Sequence, residues 1–157
     1  MSKQVLSSMM EWLRPVGIGL VIFVAYASSD DAVAQFHILG PLVVVLMSGS
    51  VAFESLVLGE VSSGKIGYAP QRAYQIQSGL ANAAIAITAL LVFFLGWGRY
   101  AEATIVSVML IFFALSAANH ALTAWINHNF KPVNLLRPVL SLLLIGFLLP
   151  HLIKALA

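Results

Sequence analysis

The sequence predicts an all-α fold, a polytopic transmembrane helical bundle of five helices with its N-terminus in the cytoplasm. Three observations carry this. Of the 157 residues, 61% are hydrophobic and only 9% are charged, where a soluble domain carries roughly 25% charged residues. The apolar residues fall into five runs close to the length of about 20 that a helix needs to cross a hydrocarbon core. Basic residues are also unevenly divided between the two ends that five crossings would create. Lys3, Arg14, Lys65, Arg72, Lys131 and Arg137 fall on one side, and Arg99 and Lys154 on the other with the acidic pair Asp30-Asp31. Lys and Arg are retained on the cytoplasmic side of a membrane, so the N-terminal side is assigned to the cytoplasm.

Composition also excludes classes of function. A net charge of +2, with no block of basic residues, gives no electrostatic footprint for nucleic acid. The absence of Cys removes disulfides, thiolate metal sites and cysteine nucleophiles. The expected partner is the lipid bilayer of an inner membrane, with a homo-oligomer or a larger membrane complex as the expected assembly. Residues 1–157 read as one helical-bundle domain.

The first helix is expected from Val5 or Trp12 to Ser28. Glu11 and Arg14 are three apart and can pair on one face, and Trp12 fits a headgroup anchor. The segment also has the basic start, apolar stretch and small-residue sites (Ala25-Tyr26-Ala27, Ala32-Val33-Ala34) of a secretory signal. A retained helix is preferred. A cleaved or interfacial first segment would leave four spans in the same orientation.

The second helix is expected from His37 to Leu58, with Pro41 in its first turn, where proline is tolerated. Gly59 to Arg72, rich in Gly and Ser, reads as a loop. The third helix is expected from Tyr74 to Leu95 and ends at the turn Gly96-Trp97-Gly98-Arg99. The fourth runs from Ala101 to Ile126. The fifth runs from Asn134 to Ile153, with Pro150 expected to kink or fray its last turn. Short connections make consecutive helices antiparallel neighbours. Ala81, Ala83, Ala84 and Ala86 on the third helix, and Ala114, Ala117, Ala118, Ala121 and Ala124 on the fourth, form small-residue faces. Such faces let backbones approach closely in lipid, so these two helices are expected at the tight centre of the bundle.

The polar residues concentrate in the cytoplasmic half. Glu54 closes the second helix. Gln75, Ser78 and Asn82 follow one face of the third. Ser116, Asn119, His120, Thr123 and Asn127 are read on one face of the fourth, and Asn134, Arg137 and Ser141 on one face of the fifth. The outer half reads as almost wholly aliphatic and aromatic. Polar side chains at membrane depth are costly and turn to the bundle interior. Glu54, Gln75, Asn82, Asn119, His120, Asn134 and Arg137 therefore form the candidate binding cluster. Glu54 is its expected hub, neutral or paired with Arg137 or His120.

The structural reading of this cluster is a set of interhelical hydrogen bonds worth about 0.6–2 kcal/mol each. The functional reading is a cavity open to the cytoplasm. His120 and Glu54 alone lack the further ligands a metal needs, so neither metal nor cofactor is expected. Gly59-Glu60-Val61-Ser62-Ser63-Gly64-Lys65 imitates a phosphate-binding loop. However, Ile66 stands where Ser or Thr should meet magnesium, and the loop follows a helix rather than a strand.

Residues 67–150 resemble an uncharacterised family of small multi-pass bacterial membrane proteins, loosely DoxX-like. The likeness rests on Gln75-Ile76-Gln77-Ser78-Gly79-Leu80-Ala81-Asn82, on His120, and on Asn129-Phe130-Lys131-Pro132-Val133-Asn134. The family pattern has an acidic residue at Gln77 and a His near Glu54, and this chain departs from both. The resemblance implies a four- or five-helix bundle and no assigned activity.

Together these features read as a membrane component without catalysis of its own, accessory or oligomer-forming. One alternative is a small transporter or channel, proton-coupled through Glu54 and His120. The other is a membrane enzyme acting on a lipid or quinone. A transporter needs a polar path to the outer face, for which only Ser48, Ser50, Thr88 and Ser107 are available. An enzyme needs a nucleophile, metal or cofactor site, and the sequence displays none.

Overall fold

The computed structural model describes residues 2–157. Its six helices are α1 (Lys3–Ser28), α2 (Ala32–Val57), α3 (Gly59–Ile66), α4 (Arg72–Phe94), α5 (Arg99–Ile126) and α6 (Pro132–Leu156). All but α3 are long and apolar enough to cross a membrane. The starts of α1, α4 and α6 share one end of the bundle with α3. The starts of α2 and α5 share the other. These are called below the basic end and the opposite end.

Local chemistry accounts for the departures from expectation. Asp31 Oδ2 accepts from Ala34 N at 2.8 Å, so α2 starts at Ala32 rather than His37. Pro41 therefore lies in its interior. Proline is tolerated inside membrane helices because neighbouring elements re-satisfy the freed backbone groups. The Gly59–Arg72 segment is not all loop. It forms α3, with Glu60 in the first turn and Lys65 in the last, both favourable to the helix dipole. Gly67 stops α3 at φ 89°, a left-handed conformation suited to glycine. Pro150 does not fray the end of α6, which continues through it to Leu156. Leu152 and Ala155 pack into the core there, and tertiary burial overrides the local penalty.

The centre of the bundle is α2, which packs against every other helix. Phe36, Leu39, Val43 and Val44 are fully buried. With Val106, Met109 and Phe113 of α5 and Leu144 and Leu148 of α6, most of these make a continuous apolar core. This corrects the expectation that the third and fourth spans, α4 and α5, form the centre. Those two touch one another little, and α4 lies chiefly along α2. Gly79 sets that approach: a Cβ there would stand 2.6 Å from Leu56 Cγ and 3.2 Å from Ser55 Cβ. The alanine faces are corrected too. On α5, Ala117 and Ala124 are buried, whereas Ala114, Ala118 and Ala121 face outward. On α4, Ala86 is buried, but Ala81 and Ala84 are exposed. Small residues permit close approach without compelling it. The rotation of α5 follows its buried polar residues Glu102 and His120, which cannot be left in hydrocarbon.

Candidate functional site

The basic end is held by an ion pair across α1 and α2. Arg14 Nη2 lies 2.7 Å from Glu54 Oε2, and Arg14 Nε donates to Ser50 Oγ at 2.7 Å. Ser50 in turn donates to the Met47 carbonyl at 2.9 Å. The Arg14 Nη2 contact is electrostatic, since its alignment does not make a hydrogen bond. Glu54 is buried and turns inward as expected. Its partner is neither His120 nor Arg137, and it forms no hydrogen bond to α4, α5 or α6 among the described residues. Glu54 is therefore not the hub of a four-helix cluster. The expected Glu11–Arg14 pair is also absent, and Glu11 Oε1 instead accepts from Lys65 Nζ on α3 at 3.0 Å. Burial decides this exchange. Glu54 needs a counter-charge because an unpaired buried carboxylate is costly, whereas Glu11 is half exposed.

A second polar limb joins α5, α6 and the α3–α4 connection. Asn134, fully buried, donates through Nδ2 to the Asn129 carbonyl at 3.0 Å. That fixes its Oδ1 toward His120 Nδ1 at 2.8 Å. Since Oδ1 only accepts, Nδ1 carries a proton and donates it to Asn134. Tyr68 stacks on the His120 ring, centroids 5.6 Å apart. Its hydroxyl lies 3.0 Å from Nδ1 and 2.6 Å from Thr123 Oγ1. Thr123 Oγ1 donates to the Asn119 carbonyl at 2.8 Å, which leaves Tyr68 O–H as the donor to Thr123. Asn129 Nδ2 donates to the Ile66 carbonyl at 2.9 Å and Lys131 Nζ to the Gly64 carbonyl at 2.9 Å. These bonds tie α3 to the α5–α6 turn.

The remaining candidates separate. Gln75 Nε2 donates to Ser63 Oγ on α3 at 2.8 Å. Asn82 Nδ2 bonds only within its own helix, to the Ser78 carbonyl at 2.9 Å. Its Oδ1 and Gln75 Oε1 are buried without a partner. Asn119 is exposed and outside the cluster, because its position on α5 points away once His120 points in. Arg137 is half-buried and makes neither a hydrogen bond nor an ion pair among the described residues, although the charges of Glu54 and Arg14 reach it. Sequence reasoning missed Tyr68, whose position just past a glycine stop was read as loop.

The opposite end is not the aliphatic region expected. Glu102, 2% exposed, hydrogen-bonds His37 Nδ1 across α5 and α2. His37 stacks on Phe93 of α4 at 5.1 Å. His151 Nδ1 donates to the Phe147 carbonyl at 2.7 Å, so the Tyr26 hydroxyl donates to Nε2 at 2.7 Å, linking α6 to α1. The signal was available: five antiparallel spans place the starts of α2 and α5 at one end, and hence His37 and Glu102 at one depth. Among the described residues, no three His, Asp or Glu side chains converge as metal ligands would.

Both ends thus hold polar groups engaged mainly with each other, and the apolar core between them is interrupted by the buried Ser48 and Asn82. Hydrogen bonding, ion pairing and helix registration are the chemistry this arrangement supports directly. No curated protein and no solved structure matches the chain. A family model described as a family of unknown function, DUF6790, matches residues 8–156. The match takes in both polar ends and nearly the whole of every helix, and the chain belongs to the DUF6790 family.

Proposed function

We propose that this protein is a non-catalytic, multi-pass component of a bacterial inner membrane that works by packing against copies of itself or other membrane subunits. One observation carries the reading: the carboxylates buried at either end are paired within the bundle, and the core between them is mostly hydrocarbon, interrupted only by the buried Ser48 and Asn82 among the described residues. Glu54 is held by Arg14, and Glu102 by His37. Phe36, Val43, Val106, Met109 and Leu148 fill the space between the two ends. A proton-coupled carrier using Glu54 and His120 needs an exchangeable carboxylate and a polar route across the bundle. The pairing of Glu54 and the apolar core weigh against it. The DoxX-like resemblance supports the bacterial setting and the small-bundle architecture.

The test is purification in mild detergent followed by mass measurement and by reconstitution into vesicles. The expected outcome is a homo-oligomer or a larger complex, with no proton flux under an imposed pH gradient. A monomer that conducts protons would overturn the proposal.

A further inference from the structure

Arg137 is the one guanidinium at the basic end that the fold leaves without a partner among the described residues. Arg14 is matched to Glu54 and Lys65 to Glu11. Arg72 caps the end of α2 by donating to the Ser55 and Leu56 carbonyls. Arg137 sits one helical turn beyond the buried Asn134 and is itself half-buried. The backbones of α1 and α6 do not come into contact, although both flank α2. The buried carboxylate at this end, Glu54, is already engaged by Arg14. Five N–H donors and a full positive charge, half-buried and unmatched, call for an anion.

Depth selects the anion. Arg137 is the sixth residue of α6, about 8 Å from the helix start at 1.5 Å per residue. The polar layer of a bilayer is roughly 5–7 Å thick on each side, so the guanidinium lies near the boundary between headgroups and hydrocarbon. Leu136, Val139, Leu140 and Leu143 around it are exposed, as a surface covered by acyl chains requires. The guanidinium fork matches a phosphate's oxygens two at a time.

We propose that Arg137 binds a phosphate oxyanion at the basic end of α6, and that its source is the headgroup of an anionic glycerophospholipid. The site is independent of whether the bundle assembles into oligomers.

The experiment uses the full chain in an uncharged detergent. Melting temperature and native mass are followed on adding dioleoyl phosphatidylglycerol, dioleoylglycerol with the same chains but no phosphate, or inorganic phosphate. Phosphatidylglycerol is expected to raise the melting temperature by several degrees and to remain bound in native mass spectra, whereas dioleoylglycerol does neither. A response to inorganic phosphate equal to that of the lipid would keep the oxyanion site and overturn the lipid as its source. No response to either phosphate compound in the unmodified protein would overturn the site, and that arm needs no variant. Arg137→Gln is expected to lose at least tenfold in affinity for phosphatidylglycerol, and Arg137→Lys to retain part of it. Lys154→Gln, exposed at the other end of α6, is expected to bind as the native chain does. Undiminished lipid binding by a folded Arg137→Gln protein, or formation of the same contact by a neighbouring copy's carboxylate, would also overturn the proposal.

Discussion

Glu54 was legible as an inward-facing group because a carboxylate cannot be left in hydrocarbon. Its partner was not, because Arg14 has a nearer acid in sequence, Glu11, at a spacing that helices commonly pair. The choice between the two acids depends on burial, which is a property of the assembled bundle. Removing one member of a fully desolvated pair costs about 3–5 kcal/mol. The Arg14 side chain is 22% exposed, so Glu54→Gln is expected to destabilise by about 1–3 kcal/mol after discounting for solvent. Unfolding of Glu54→Gln, Arg14→Gln and the double variant in detergent checks this. The double variant should lose less than the sum of the two, and strictly additive losses would mean that the charges do not interact. His120 was likewise legible as a buried group, but Asn119 beside it was not separable. One residue's rotation about the helix axis decides between interior and lipid, and Asn119 carries no charge to force the matter.

At the scale of the element, the five long helices were readable because apolar length is a local property. Their ends followed from Asp31, Gly67 and the Gly96–Gly98 turn. The identity of the central helix was not local. Alanine counts favoured α4 and α5, whereas the structure places α2 at the centre, with few alanines and a core of Val, Leu and Phe. The α2–α4 seam instead depends on a single glycine. Gly79→Ala is expected to cost about 1–3 kcal/mol by overpacking against Leu56 and Ser55. Ala117→Leu should cost a similar amount, and Ala118→Leu, one position along on the outward face, should stay within about 0.5 kcal/mol of the native chain. Melting curves of the three variants check both seams. Equal effects at Ala117 and Ala118 would contradict the observed rotation of α5.

For the whole molecule, the antiparallel order and the uneven basic charge fix which groups share an end. The chain contains no Cys, so single introduced thiols report sidedness directly. Glu60→Cys on α3 and Asp30→Cys in the α1–α2 turn are both exposed. They are expected to react with a membrane-impermeant maleimide from opposite faces of the membrane. Labelling of both from one face would rule out the five-span arrangement. The clusters at the two ends differ in legibility for the same reason. The basic end announced itself by charge. The His37–Glu102 bond joins residues far apart in sequence that only the topology brings level.

The position of α2 at the centre has a consequence for biogenesis. It leaves the ribosome before α4, α5 and α6, so most of what will surround it has not yet been made. At roughly 5–20 residues per second, the hundred or so residues from α3 to the end of α6 take on the order of ten seconds to synthesise. During that interval α4, α5 and α6 are absent or incomplete, and Glu54 has none of their polar groups to meet. Arg14 is already present on α1. A hairpin of the first two helices, closed by Arg14 and Glu54 with Ser50 between them, can therefore enter the bilayer with its carboxylate neutralised. The later helices can then wrap a nucleus whose charge problem is already solved.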